Sequence, residues 1–342
     1  MMLKRVFLEP RDNSKWSINS DFELMESLIN NIEGYKTTKN IFRANIVYNL
    51  WWNNSRFLRF NHFLKKKFIA TCSNFLNVSE NDYELALEYH AIKTKLNAWI
   101  APSQKQLSLL RNDKQLTYYM PFLISREYLN LEILDKKSIC SELNIDRSIF
   151  KDKIIIGNFM RDSLGSNLSK SKWQKNPEMI VELCSKLKEN YILLLAGPRR
   201  HFLRDLCKKN KINFYFYGDI FDSDDIIQNN LDIKKMKLLY QLTDIQLITS
   251  ASEGGPKSIP EGMLTRNLVL STNVGHSNDY LSKDFVFDTL NDFTQALIFY
   301  CNVENFYSEK TERVINNNYT KANNIQSNEN LQNLLKNNLN NL

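Results

Sequence analysis

Apolar residues along this chain fall into short runs separated by stretches of helical periodicity. In the first half, the runs Leu3–Leu8, Ile46–Leu50, Phe68–Cys72, Ala98–Ala101 and Leu116–Met120 predict strands. Between them, apolar positions spaced three or four apart predict helices over Asp21–Ile32, Arg56–Lys65, Tyr83–Leu96 and Ser103–Arg111, the last capped by Ser103. A polar, charged stretch from Asp135 to Asp152 follows. The second half repeats the alternation more cleanly, with strands in KIIIGNF, YILLLAG, NFYFYG, DIQLITS, NLVLST and DFVFD. Helices over Pro177–Lys188, Arg199–Lys209, Ile233–Gln241 and a segment leading into Glu261 lie between them. Strands alternating with helices make parallel sheets covered by helices, so the expected class is α/β.

The tail is Asn-rich, with twelve Asn among the residues from Asn316 to Leu342. Leu331, Leu334, Leu335, Leu339 and Leu342 recur there at helical spacing and predict a closing helix, with Asn316–Asn318 as a loop. A chain of 342 residues is long for one core. The expected division is 1–150 for a first domain, 151–315 for a second, and 316–342 for the Asn-rich segment.

Composition narrows the class further. Hydrophobic content of 43% and a charged fraction of 24% describe an ordinary globular protein. No run approaches the roughly 18 apolar residues of a membrane span. The opening MMLKRVFLEP is broken by Lys4 and Arg5 and carries no small-residue cleavage site, so it reads as a first strand rather than a signal peptide. The five cysteines (Cys72, Cys140, Cys184, Cys207, Cys301) are scattered, without a C-x-x-C pair. That pattern argues against a zinc site or disulfide framework and suits a reducing cytoplasm.

Net charge is +7 and unevenly spread. Between Glu33 and Glu80 there is no acidic residue, while Lys36, Lys39, Arg43, Arg56, Arg59, Lys65, Lys66 and Lys67 all fall inside the interval. In RFLRFNHFLKKKF, helical spacing places Phe57, Phe60, Leu64 and Phe68 near one stripe. Arg56, Arg59, Lys65, Lys66 and Lys67 flank it. A basic amphipathic helix of this kind suits an anionic membrane surface. The same pattern suits phenylalanines packed into a core beneath solvated cations, and both readings stand. Nucleic acid is not an expected partner, because no recognisable binding module is present.

The densest chemistry lies in SEGGPKSIPEGM, between the strands of DIQLITS and NLVLST. Gly254 and Gly255 allow close approach of a ligand to the backbone. Glu253 is expected near the strand's carboxyl end and Glu261 on the following helix, at the edge where open α/β sheets bind ligands. Ordinary surface carboxylates at a helix start give the same spacing.

This stretch resembles the donor site of retaining glycosyltransferases of the GT-B architecture, in particular family 4. The resemblance implies two Rossmann-like domains with parallel sheets facing across a cleft, the first for the acceptor and the second for a nucleotide-diphospho-sugar. It implies that Glu253 contacts the transferred sugar and Glu261 the ribose. IIGNFMRDS and SKWQKNPEMIVELC resemble the segments that bring Arg161 and Lys175 to the diphosphate, where fixed cations take up the charge of the leaving group without a metal. By the same resemblance Gly197, Gly218, Asp219, Ile220 and Tyr240 line the donor site. The backbone at Gly255, Lys257 and Ser258 cradles phosphate or sugar. The DxD at Asp222–Asp224 lacks a fitting context and is expected to be solvated, as His276 is expected to be structural.

The likeness covers Lys153 to about Asp288 and is thin in the first half. The usual Gly-rich loop is replaced by EPRDNSKWSINSD, with Asp12 and Trp16, and Thr71, Cys72 and Ser73 stand where many relatives carry a His. No general base is therefore assigned. The implied activity is sugar transfer to a glycan or lipid-linked acceptor at the cytoplasmic face of the membrane, with no cofactor. A catalytically silent protein of the same fold acting as a scaffold, and a sugar-nucleotide epimerase, are the alternatives.

Overall fold

Among the described residues, two six-stranded parallel sheets and one small hairpin organise the chain. The structure, a computed structural model, describes residues 3–9, 17–52, 57–73, 89–129, 131–188 and 190–342. It divides into two compact units, one of Met1–Ser125 with Ser252–Gly255 and Asn324–Leu342, the other of Arg126–Ala251 with Pro256–Asn323.

The first unit holds β1 (Lys4–Glu9), β2 (Tyr35–Thr37), β3 (Ile46–Asn49), β4 (Lys67–Thr71), β5 (Ala98–Ala101) and β6 (Thr117–Tyr119), in the order β2-β1-β3-β4-β5-β6. Successive side chains of a strand point to opposite faces, and β5 shows it. Ala98 and Ile100 join the core formed with the helices Ser17–Asn30 and Asn328–Asn340. Trp99 and Ala101 face the other way, onto Trp52, Tyr89 and the helix Gln104–Asn112. Ser103 caps that helix by accepting from the Gln106 amide at 3.0 Å.

The second unit holds β7 (Ile154–Asn158), the antiparallel hairpin β8 (Ser163–Leu164) and β9 (Asn167–Ser171), then β10 (Tyr191–Ala196), β11 (Phe214–Tyr217), β12 (Ile245–Ile248), β13 (Leu268–Thr272) and β14 (Val286–Phe287). Its sheet runs β11-β10-β7-β12-β13-β14. Every residue of β7, β10 and β12 is buried. Such unbroken apolar runs are what a parallel sheet covered on both faces requires.

Several expectations are corrected. The predicted loop Asn316–Asn318 lies inside a helix, Glu309–Gln326. That helix buries Thr311, Asn318, Ala322 and Gln326, a stripe at helical spacing without a single leucine, which hydrophobic patterning does not register. The expected helix Arg56–Lys65 shrinks to a 3-10 turn, Leu58–Phe60, followed by Asn61–Leu64, and Lys65 in the left-handed region stops it (φ 48°). Phe68 belongs to β4, not to the proposed stripe. Residues 163–171, for which the sequence pattern predicts no element, form the β8–β9 hairpin. Arg56, Asp12, Trp16 and much of the Tyr83–Leu96 helix lie outside the described residues, as does the side chain of Arg59. Among the described residues, no helix is long and apolar enough to cross a membrane.

Candidate functional site

Within the second sheet the chain moves outward from β7 to β10 and β11, then returns to the other side of β7 through β12. Crossovers on either side of this reversal leave opposite faces of the sheet, which opens a crevice at the carboxyl ends of β7 and β12. Asn158, the last residue of β7, donates its side-chain amide to Leu247 O at 3.0 Å and ties the two strands there.

Both predicted cations come from segments anchored at this edge. Arg161 follows β7 by three residues and is half-buried. Burial and then the neighbouring charge of Arg199 hold its pKa below the usual arginine range, with Asp224 opposing. Arginine stays protonated regardless. Lys175 ends a 3-10 turn, Trp173–Lys175, just before the helix Pro177–Cys184. Its carbonyl accepts from Thr249 Oγ1 at 3.1 Å, and Gln174 O accepts from the Ala251 amide at 2.9 Å, so the turn is bound to the segment leaving β12.

The sequence reading missed the neighbouring arginines. Arg199 forms a two-pronged contact with Asp224, Nε to Oδ1 at 2.9 Å and Nη2 to Oδ2 at 2.7 Å. A Cβ added at Gly165 would fall 2.4 Å from the Arg199 guanidinium carbon, so a side chain in the β8–β9 turn would push that guanidinium aside. Asp224 is thus an ion-pair partner rather than a solvated carboxylate, while Asp222 is exposed as expected. Arg200 is fully buried against Asp162, Nε to Oδ2 at 2.7 Å, and also donates to Asn158 Oδ1 at 2.9 Å. Two adjacent arginines after a strand were the available signal, but their acidic partners lie far away in sequence.

Glu261 sits on the helix Ser258–Leu264, and its Oε2 accepts from the Tyr240 hydroxyl at 2.9 Å. Tyr240, on the helix Ile233–Leu242, is buried behind Glu261 rather than lining open space. Its ring meets Phe159 edge-on at 4.8 Å and Tyr128 at 6.0 Å. Burial, then the charge of Glu261, pushes the Tyr240 hydroxyl well above its ordinary pKa and keeps it a donor. Gly254, Gly255 and Ser258 are buried, whereas Glu253 and Lys257 are half-buried. Residues 252–255, Glu253 among them, group with the first unit. His276 is fully buried, its Nε2 2.8 Å from Pro256 O, and so fixes the start of the Glu261 helix.

The remaining candidates follow β10 and β11. Gly197 adopts φ +86°, a conformation that favours glycine. Beyond Gly218, the side chain of Asn229 accepts from the Asp219 amide at 3.0 Å and donates to its carbonyl at 2.8 Å. That clamp leaves Ile220 68% exposed. In the first unit, Lys65 and Lys67 are exposed and Lys66 donates to Phe42 O at 3.1 Å. In the second unit, a cavity of about 570 Å³ bordered by Lys136, Lys153 and Tyr307 lies at the amino ends of β7 and β12, the end of that sheet opposite Arg161.

No family model and no curated protein matches the chain by sequence. Solved structures do match by fold. HepE of Anabaena in complex with UDP superposes with a TM-score of 0.71 at 12% identity, covering 99% of this chain and 100% of that one. The same protein in complex with UDP-glucose gives 0.72 at 10% identity, with the same coverage. A glycosyltransferase from Rickettsia africae gives 0.60 at 20% identity over 97% of this chain and 83% of its own. WaaG, a glycosyltransferase involved in lipopolysaccharide biosynthesis, gives 0.58 at 10% identity over 96% and 97%. The architecture is GT-B, with two Rossmann-like units as expected from the motifs.

Proposed function

We propose that this chain is a retaining, metal-independent glycosyltransferase that moves a sugar from a nucleotide-diphospho-sugar, specifically a UDP-sugar, to a glycan or lipid-linked acceptor. The observation that carries the reading is that Arg161, three residues beyond β7, Lys175, on the turn bound to the segment leaving β12, and the Tyr240-braced Glu261, on the helix after β12, all follow the adjacent strands β7 and β12 of one sheet. The fold shared with HepE, solved with UDP and with UDP-glucose, supports the donor class. As the bond from the anomeric carbon to the phosphate oxygen breaks, negative charge accumulates on the departing diphosphate. Arg161 and Lys175 stabilise that charge with no reorganisation at the moment of reaction. Glu261 takes the ribose hydroxyls and Glu253 the hydroxyls of the transferred sugar. Cell-surface polysaccharide or glycoconjugate synthesis at the inner membrane face fits a lipid-linked acceptor.

The test is the anomeric configuration of the transferred sugar, followed by NMR with chelator present. Retention of configuration at an undiminished rate is expected. Inversion, or a strict need for a divalent cation at the transfer step, would overturn the mechanism.

A further inference from the structure

We propose that the amino edge of the first sheet is a docking face for an anionic lipid bilayer, with Phe42 and Phe63 as the side chains that enter it. The inference rests on the reading above only in that a lipid-linked acceptor gives docking a purpose. The geometry stands by itself.

Phe42 is 76% exposed and Phe63 86% exposed. Phe42 lies in the 3-10 turn Ile41–Arg43 leading into β3, and Phe63 in the short helix Asn61–Leu64 leading into β4. These strands are neighbours, with Ile46 opposite Lys67, so both turns sit side by side at one end of the sheet. The Lys66 ammonium bridges them by donating to Phe42 O at 3.1 Å. Neither phenylalanine is a core residue without room. Ile41, Val47, Leu58 and Phe68 already form the cluster beneath, with Phe57 and Leu64 packed against it. The exposure is also fixed by the backbone, since Asn40 caps one turn through the Phe42 amide at 2.9 Å and Lys65 ends the other in the left-handed region. Large aromatics held outward in this way mark an interaction surface.

The charge on the edge selects the partner. Lys4 and Arg5 open β1, Lys36 lies on the short edge strand β2, and Arg43, Lys65 and Lys67 flank the two phenylalanines, all of them exposed. Glu33 is an exposed acid near this edge, and Asp113 is held by Lys93 at 2.8 Å. Apolar side chains ringed by cations suit a surface that offers both hydrocarbon and negative headgroups. Strands of three to six residues hold the opposite, carboxyl edge roughly 10–20 Å away, so docking leaves that edge open to water.

Co-sedimentation of the full chain with vesicles of phosphatidylcholine, alone or mixed with phosphatidylglycerol, tests this. The parent is expected to bind the mixed vesicles about ten-fold or more tighter than the neutral ones, and less tightly as salt rises. The double variant Phe42→Ser, Phe63→Ser should lose about a hundred-fold, since each buried phenylalanine is worth about ten-fold or more. Lys65→Glu with Lys67→Glu should lose about thirty-fold from the lost attraction, and more from the reversed charge. All four positions are exposed, so circular dichroism and UDP-sugar hydrolysis should match the parent. Equal sedimentation with neutral and anionic vesicles, parent-like binding by the phenylalanine variant, or binding to single-stranded nucleic acid but not to vesicles would overturn the proposal. Loss of hydrolysis in the parent with vesicle binding intact would instead strike the enzymatic reading alone.

Discussion

The Tyr240 hydroxyl donates a 2.9 Å hydrogen bond to Oε2 of Glu261, linking the helix that precedes β12 to the helix that follows it. Asn267 reinforces the link, since its side-chain amide donates to Tyr240 O at 2.8 Å. Glu261 therefore presents its carboxylate from a braced position. Tyr240→Phe keeps the ring packing and removes the donor, so UDP affinity should fall about two- to ten-fold, with turnover at saturation nearly unchanged. Glu261→Gln removes the charge itself and should weaken UDP by about 1.5–3 kcal/mol, ten-fold or more. Titration calorimetry with UDP reads both effects, and parent-like affinity in both variants would remove Glu261 from the nucleotide.

Arg161→Ala and Lys175→Ala should each slow sugar transfer by about 10²–10³-fold, as losing one preorganised charge stabiliser does. The loss belongs in kcat rather than KM, because diphosphate charge grows most in the transition state. Steady-state kinetics separates the two, and a change confined to KM would make these cations ground-state binders.

Asp162 and Arg200 form a pair in which both side chains are almost fully shielded from water. Asp162→Ala leaves an uncompensated buried guanidinium and should cost about 3–5 kcal/mol. The joint replacement Asp162→Leu, Arg200→Met should cost much less than the two single changes together, because no charge is then stranded. Urea unfolding of the three variants checks this, and simple additivity would show that the residues do not act as a pair.

The contact with Arg199 is the main reason that the Asp224 carboxyl is held below its ordinary pKa. A depressed folded pKa gives stability that is present above the unfolded value, near 3.9, and fades as pH falls through the folded value. Asp224→Asn should therefore lower Tm at neutral pH, and the gap from the parent should close below about pH 4. Thermal scans across that window measure it, and a gap independent of pH would assign the effect to packing.

The central strands were legible because they are buried on both faces and read as apolar runs, YILLLA of β10 being the plainest, whereas the three-residue edge strand β2 was not predicted. The motif around Glu253 and Glu261 was legible because glycines, carboxylates and the strand–helix change fall within one short segment. What escaped depended on contacts distant in sequence. Tyr240 and Glu261 are 21 residues apart, and Arg199 and Asp224 are 25 apart, with no periodicity to join them. The acid-free interval was plain, but helical spacing grouped Phe57, Phe60, Leu64 and Phe68 on one stripe, facing either a membrane or the core. The left-handed turn at Lys65 and the start of β4 at Lys67 send Phe68 into the core, and Phe63 outward. The Glu309–Gln326 helix was missed in part because its buried stripe is polar but for Ala322.

Release of nucleoside diphosphate from UDP-sugars, measured for the parent and for Glu253→Gln in the presence of chelator, tests the proposed activity most directly. The parent should release UDP from at least one UDP-sugar without added metal, while Glu253→Gln binds UDP as tightly as the parent and turns over far more slowly. A parent that neither binds nor cleaves any UDP-sugar, or a Glu253→Gln variant that cleaves as fast as the parent, would contradict it.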